Sequence, residues 1–245
     1  MSVDITKINS ELAFLAKGNE EYAKFNKRIV NTQKSVLGVR VPDLRKLAKK
    51  LARNIDVDEI EKLLLTIDRA VYEQVLLCGL IMSYAKLTDE QKISLTKKYL
   101  PLVDSWAEVD TFVQKRNLKN KQIWWNFVIN CLKSDREFVV RYGVIELMLN
   151  FLDQSDIDRV LAAIRTIKHQ GYYVKMAIAW LYATAAVNFY QQTLEEIKNS
   201  DIDLWVKKKA LQKMLESRQF SLEQKEEIRK LRDQLVELKN PLDLF

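Results

Sequence analysis

The sequence predicts an all-α protein, and two observations lead to that prediction. Apolar residues recur along most of the chain at the i, i+3, i+4 and i+7 spacing of an amphipathic helix, as at Ile60, Leu63, Leu64 and Ile67. Only 5 glycines and 3 prolines occur among the 245 residues. Because β-sandwiches and barrels need turn residues about every 8–12 positions, this composition excludes them.

Capping boxes mark the start of several predicted helices. In this pattern Ser or Thr is followed three residues later by Glu or Gln. The chain has Thr88 with Gln91, Ser134 with Glu137, and Ser221 with Gln224. Periodicity and caps together predict helices at 4–15, 20–33, 42–53, 57–67, 70–86, 89–99, 103–115, 121–132, 136–151, 156–166, 172–187, 190–198, 204–217 and 221–238.

The connections between these helices are short, and none is rich in Gly or Ser. Successive helix pairs occupy roughly 30–45 residues, the period of HEAT- or armadillo-like solenoids. We therefore expect one helical-repeat domain over residues 1–239, built as a right-handed superhelical stack of antiparallel helix pairs. The second helix of each pair is expected to line a concave, basic groove. An irregular globular helical bundle is the alternative.

The composition also restricts the chemistry. Gly-rich phosphate-binding loops are absent, and a single histidine, His169, excludes HExxH zinc sites. Any Ser-His-Asp or Cys-His scheme would have to use that one residue. Cys78 and Cys131 lie in apolar helical stretches without a CxxC motif, which predicts inert, buried thiols in a reducing compartment. We expect no metal and no cofactor.

The charge balance allows a polyanionic partner. Lys and Arg number 40 against 33 Asp and Glu, a formal net charge of +7, which favours nucleic acid without requiring it. No run of 18 apolar residues and no charged-then-apolar N-terminal segment occurs. We therefore expect a cytoplasmic protein that does not enter a membrane.

Two helical segments carry polar residues beside apolar ones. Trp106 and Asp110 are four residues apart, which places an indole and a carboxylate on one helix face. The alternative is that Trp106 packs inward while Asp110 lies in solvent. Arg141 lies in a largely apolar helix, where its charge needs either an internal carboxylate or a phosphate.

Two later segments are more ambiguous. Trp180 belongs to an alanine-rich helix, where a core position is the simplest expectation. Lys207, Lys208 and Lys209 form either a solvated face or a set of phosphate contacts.

A fifth segment, Leu37-Gly-Val-Arg-Val-Pro-Asp-Leu-Arg45, opens a predicted helix with Pro42 in its first turn, where proline is tolerated. In order and spacing, over about residues 20–235, the five segments resemble the bacterial alkylpurine DNA glycosylases of the AlkD type. That family is built from HEAT-like repeats. The resemblance implies that a concave groove holds duplex DNA and that Trp106, Asp110 and Trp180 meet the deoxyribose of the damaged nucleotide. It implies DNA contacts for Arg45, Arg141, Lys207, Lys208 and Lys209.

The family removes cationic N3- and N7-alkylated purines without flipping the base into a pocket, unlike most enzymes of base chemistry. The chemistry suits these side chains. A carboxylate at Asp110 can stabilise the positive charge that builds on the sugar and can position the attacking water. The indoles of Trp106 and Trp180 favour cationic character beside them. The substrate is already activated by its charge, so neither a general acid nor a metal is required.

Three positions depart from the family pattern. Ala107 stands where an acid commonly follows the tryptophan, Ala183 where an arginine often lies, and Val140 where one member of a frequent Arg-Arg pair lies. Some branches of the family bind unusual DNA structures without glycosylase activity. A non-catalytic protein that binds distorted or branched DNA is therefore one alternative, and a helical-repeat scaffold for protein partners is another.

Residues 240–245 form a short C-terminal tail in this prediction. Its end, Pro241-Leu-Asp-Leu-Phe245, looks like the pentapeptide Gln-Leu-Ser/Asp-Leu-Phe with which bacterial repair and replication proteins bind the sliding clamp. Docking of an extended tail into a preformed groove would use Leu242, Asp243, Leu244 and Phe245. The alternative is that these residues fold back onto the last helices. We expect the protein to be a monomer.

Overall fold

The computed structural model describes residues 4–116 and 118–237. Its helices are α1 Ile5–Ala16, α2 Glu20–Val30, α3 Val41–Leu51, α4 Val57–Thr66, α5 Tyr72–Tyr84, α6 Asp89–Tyr99, α7 Trp106–Phe112, α8 Lys121–Leu132, α9 Glu137–Asn150, α10 Ile157–Arg165, α11 Tyr172–Asn188, α12 Tyr190–Asn199, α13 Leu204–Glu216 and α14 Leu222–Glu237. A 3-10 turn covers Leu100–Leu102. Extended pairing in these ranges amounts to one isolated parallel bridge between Ser35 and Val71. The all-α prediction is confirmed, with the helices in the predicted order.

Reciprocal capping explains where several helices begin. Capping boxes form at Thr88 with Gln91, at Ser221 with Gln224 and also at Asp56 with Glu59. In each box a side-chain oxygen accepts the N–H three residues on, and the partner side chain accepts the N–H of the cap residue. The boxes predicted at Thr88 and Ser221 are therefore confirmed.

The capping box predicted at Ser134 is wrong. α9 begins after Arg136, and the Ser134 hydroxyl accepts the N–H of Arg136 at 3.1 Å. The Glu137 carboxylate accepts the backbone N–H of Tyr173, at 2.6 Å, instead of a nearby N–H of its own helix. The Glu137 carboxylate, which the capping box requires as an acceptor, is thus used in a tertiary hydrogen bond instead.

Several helices are shorter than predicted, and the ends of α2 and α7 have clear physical causes. α2 ends at Val30 because Asn31 adopts a left-handed conformation, with φ of 52°, which stops the helix. α7 begins only after Ser105, whose side chain caps it, and ends where Val113 returns to extended backbone.

The described residues divide into two compact units, one within Met1–Asn130 and the other within Cys131–Phe245. In the first unit α5 is buried over residues 72–82 and packs against both α3 and α7. In the second unit α11 packs against both α9 and α13. We call α3, α5 and α7 the first row and α9, α11 and α13 the second row. This helix packing is consistent with the predicted solenoid, while the concave basic groove and the single domain over 1–239 stay predictions.

Both cysteines, Cys78 and Cys131, are buried free thiols, as predicted. Burial raises the pKa of the Cys78 thiol to about 12, which makes this side chain a poor nucleophile. Over the described ranges, no helix combines the length and the apolar character needed to cross a membrane.

Candidate functional site

Helix α7, which carries Trp106 and Asp110, is anchored to the end of α2. The Ser105 hydroxyl donates to the carbonyl of Val30 at 3.0 Å and accepts the N–H of Ala107 at 3.2 Å. The indole Nε1 of Trp106 donates to the carbonyl of Ile29 at 3.1 Å. These bonds fix the first turn of a helix that is only seven residues long.

The register of α7 separates two kinds of residue. Ala107, Glu108 and Val109 are buried, whereas Trp106 and Asp110 are partly exposed. Residues four apart lie one above the other on a helix, so the indole and the carboxylate share one partly exposed face. The structure thus brings these two predicted residues together on α7.

A buried ion pair lies behind this face. The Lys34 ammonium is 3.0 Å from Glu108 Oε1 and 2.6 Å from Asp104 Oδ1. The N–H of Asp104 also donates to Glu108 Oε2 at 2.9 Å, and Thr32 Oγ1 donates to Asp104 Oδ1 at 2.5 Å. The cluster ties the segment after α2 to the middle of α7.

The pKa values of the two carboxyl groups in this cluster are shifted in opposite directions. Burial raises the pKa of Glu108 to about 7, although Lys34 opposes the shift. Burial also acts to raise the pKa of Asp104, but hydrogen bonds from Lys34 and Thr32 lower it below its ordinary value. Glu108 is not among the residues predicted from the sequence. The available signal is its position two residues after Trp106, on the opposite face of α7.

The Leu37–Arg45 segment folds around a buried carboxylate. Glu73 accepts the backbone N–H groups of Leu37 and Gly38 at 2.9 and 2.8 Å. Gly38 has φ of 97°, and a Cβ on it would lie 2.9 Å from the carbonyl oxygen of Asn19. Pro42 occupies the first turn of α3, as predicted.

Arg45 lies on α3 beside the end of α5. Its Nη1 donates to the hydroxyl of Tyr84 at 2.9 Å, and the side chain is partly exposed. The Lys49 ammonium lies 5.2 Å from the centroid of the same ring. One tyrosine of the first row therefore contacts two cations.

In the second unit, the two predicted residues of α9 and α11 differ in exposure. Arg141 is only 4% exposed, and its Nη1 donates to the carbonyl of Tyr173 at 2.8 Å. Trp180 is 40% exposed on α11, which excludes the core position. A surface indole is available for contact with another molecule.

The three lysines of α13 are not equivalent. Lys207 is 8% exposed, and its ammonium donates to the carbonyl of Lys198, in the last turn of α12, and to that of Ser200, which follows α12. Burial lowers its pKa. Lys208 and Lys209 are partly exposed. The Lys207 ammonium thus has two hydrogen-bond acceptors within the protein. Its DNA-binding role stays a prediction.

The single histidine has a structural role. Because His169 Nδ1 accepts the N–H of Gly171 at 3.0 Å, the proton lies on Nε2, which donates to the carbonyl of Asp135 at 3.0 Å. Across the described ranges no cluster of three or more His, Cys, Asp or Glu side chains could hold a metal ion.

Each predicted site residue that the structure describes lies on a helix of the first or the second row. Arg45 is on α3, Trp106 and Asp110 are on α7, Arg141 is on α9, Trp180 is on α11, and Lys207, Lys208 and Lys209 are on α13. This is the placement that a helical solenoid predicts for a binding surface. Leu242, Asp243, Leu244 and Phe245 lie outside the described residues.

Comparison with known proteins supplies the family. A comparison with curated proteins found no match. A family model described as DNA alkylation repair enzyme matches residues 10–214, which include every site residue described above and both rows except the last two residues of α13. The match covers most of the chain, and its extent agrees with the resemblance drawn from the five segments. The chain therefore belongs to the DNA alkylation repair enzyme family.

Proposed function

We propose that the protein is a DNA glycosylase that hydrolyses the N-glycosidic bond of cationic N3- and N7-alkylated purines in duplex DNA. Family membership supports a role in DNA repair. The observation that carries the proposal is the face of α7, where Trp106 and Asp110 lie one turn apart and partly exposed while the three residues between them are buried. A carboxylate beside an indole on an anchored helix suits a cationic transition state.

The proposed reaction is a hydrolysis at the C1′ atom of the damaged nucleotide. The glycosidic electron pair leaves with the cationic base, which departs neutral, and positive charge builds on the deoxyribose. Asp110 stabilises that charge, positions the water that attacks C1′ and accepts the proton that this water loses. The faces of Trp106 and Trp180 favour the same cationic sugar. The products are a free alkylated purine and an abasic site.

Phosphate contacts hold the duplex in register in this proposal. We assign them to Arg45, Arg141, Lys207, Lys208 and Lys209. Contacts of this kind release counterions, so the affinity for DNA falls steeply as the salt concentration rises.

The decisive assay measures release of free base from duplex DNA that contains N7-methylguanine. We expect release by the wild type, and about 100-fold slower release by Asp110→Asn with nearly unchanged DNA affinity. Asp58→Asn, which alters an exposed aspartate of α4, is the matched control and should release base at the wild-type rate. No release above background at stoichiometric enzyme rejects the glycosylase proposal, and a wild-type rate for Asp110→Asn rejects the role of Asp110.

A second candidate is a non-catalytic relative that binds distorted or branched DNA. It is favoured by the burial of Val140 and Ala183, which lie where the resemblance often implies arginines, and by the 4% exposure of Arg141. This candidate predicts tight binding to a four-way junction without release of base. A protein-interaction scaffold predicts no affinity for DNA at all.

For the C-terminal tail we propose binding to the bacterial sliding clamp. Purified clamp should recover the full chain but not a chain that lacks residues 241–245, and equal recovery rejects the proposal. We further propose a monomer that works in the bacterial cytoplasm on nucleoid DNA. Light scattering on the purified protein measures its mass in solution and so tests the proposed monomeric state.

A further inference from the structure

Aromatic rings from three helices of the second unit form a continuous cluster, which we call the aromatic edge. Its members are Phe138 of α9, Tyr172 and Tyr173 of α11, and Trp205 of α13. Ring centroids are 5.5 Å apart for Phe138 and Tyr173, 5.2 Å for Tyr172 and Tyr173, and 5.8 Å for Tyr172 and Trp205. At the Trp205 end the rings reach solvent, since Tyr172 is 56% and Trp205 38% exposed.

Hydrogen bonds hold the backbone on both sides of Tyr172. Glu137 accepts the N–H of Tyr173 at 2.6 Å, and His169 accepts the N–H of Gly171. A Cβ on Gly171 would lie 2.6 Å from Glu137 Cδ, so the chain approaches this carboxylate as closely as glycine allows. Tyr172 is therefore presented from a preorganised turn, which lowers the entropic cost of binding at this ring.

Trp205 is fixed from the other side. The Asp203 carboxylate accepts the N–H groups of Trp205 and Val206 at 2.8 and 3.3 Å and forms a 2.9 Å ion pair with Lys175. The hydrogen bond from Lys175 lowers the pKa of Asp203. The negative charge at the start of α13 is thus already matched by a cation.

A further cation lies against the tryptophan. The Lys209 ammonium is 5.8 Å from the centroid of the Trp205 ring, and Lys208 precedes it on the partly exposed part of α13. Two exposed rings accompanied by lysines match a ligand that offers both flat aromatic surfaces and negative charge.

We propose that the aromatic edge binds the unpaired bases of single-stranded DNA where a single strand adjoins a duplex. Inside a duplex a paired base is stacked on both faces, so away from the duplex ends a protein ring can stack only on a base that has left the helix. In this arrangement Tyr172 and Trp205 stack on unpaired bases while Lys208 and Lys209 meet the phosphates. The proposal rests on the DNA-binding role proposed above, but not on glycosylase activity.

The test compares the affinities for a blunt duplex and for the same duplex with a single-stranded thymidine overhang, by fluorescence anisotropy. We expect the wild type to bind the overhang duplex about tenfold more tightly, the gain typical of one stacked base. Trp205→Leu and Tyr172→Leu should each remove most of this gain while the dissociation constant for the blunt duplex stays within about threefold. Phe14→Leu is the control, because Phe14 is a 74% exposed aromatic residue in the other unit, and it should keep the gain.

Each remaining outcome counts against the aromatic edge. Equal affinity of the wild type for the two duplexes, retention of the gain by both variants, or equal loss of affinity for both duplexes overturns the proposal. If Trp205→Leu does not fold, Tyr172→Leu decides, because Tyr172 is the more exposed ring. If the wild type fails to release base from blunt DNA, the glycosylase alone is rejected, whereas a wild type that releases base but shows no preference for the overhang duplex rejects the aromatic edge alone.

Discussion

Lys34 Nζ lies 3.0 Å from Glu108 Oε1, and the two side chains are only 6% and 0% exposed. The pair joins the segment after α2 to the middle of α7. A seven-residue helix is too short to be stable by itself. The pair, together with the Ser105 cap, therefore fixes the rotation of the helix that presents Trp106 and Asp110.

The first prediction concerns the cation of this pair. Lys34→Met should lower the free energy of unfolding by about 3–5 kcal/mol, because it leaves the buried Glu108 carboxylate without its counter-charge. The measurement is urea denaturation at about pH 8.5, where Glu108, with a pKa of about 7, is ionised in the folded wild type. Lys24→Met is the matched control, since the Lys24 bridge to Glu21 is exposed and should contribute about 0.5 kcal/mol or less. Equal losses of stability in the two variants would show that the buried pair contributes no more to stability than the exposed pair.

The second prediction concerns pH. Burial raises the pKa of Glu108 to about 7 in the folded protein, against about 4.3 in an unfolded chain. The folded state therefore binds this proton more tightly, and the stability contributed by Glu108 falls as the pH rises through that window. Asp104 has a lowered pKa, so its contribution is lost only at acid pH, below about 4.

Glu108→Gln removes this titration. As the pH rises from about 5 to 8, the unfolding free energy of the wild type should fall by about 2–3 kcal/mol more than that of the variant. Urea denaturation of both proteins at several pH values provides the measurement. Parallel stability profiles for the two proteins over this range would contradict the raised pKa of Glu108.

The helix order could be predicted from the sequence because it depends on neighbours three or four residues away. The box of Thr88 with Gln91 and the position of Pro42 are local features of this kind. The same motif failed at Ser134, where Glu137 caps another helix by accepting the N–H of Tyr173. Local patterns predict a helix start only when no tertiary partner competes for the capping side chain.

The candidate site was predictable only in part. The spacing of Trp106 and Asp110 correctly places them on one face of α7, because helical periodicity alone determines that. The partnership of Lys34 with Glu108 spans 74 residues and leaves no local signal. The internal bonds of Lys207 to nearby carbonyls depend equally on how the chain turns between α12 and α13.

The third prediction concerns the backbone at Gly38. Gly38→Ala should cost at least about 2 kcal/mol, since φ is 97° and the new Cβ would lie 2.9 Å from the carbonyl oxygen of Asn19. Gly18→Ala is the control, because φ is 76° but no atom lies within 4 Å of its Cβ position. It should cost only about 1 kcal/mol. Thermal unfolding measures the loss of stability in both variants. Equal losses would show that the close approach to Asn19 does not add to the cost of Gly38→Ala.

The last prediction separates the two roles of Trp106. Trp106→Phe keeps an aromatic face but loses the indole hydrogen bond to the carbonyl of Ile29, so it should cost about 0.5–1.5 kcal/mol of stability and slow base release only modestly. Trp106→Leu also removes the aromatic face beside the cationic sugar, and base release should then be slower than in Trp106→Phe by about tenfold. Single-turnover release of N7-methylguanine measures both rates, with Trp125→Phe on α8 as a control that should leave the rate unchanged. Equal rates for the two Trp106 variants would assign the residue to anchoring α7 and not to stabilising the sugar cation.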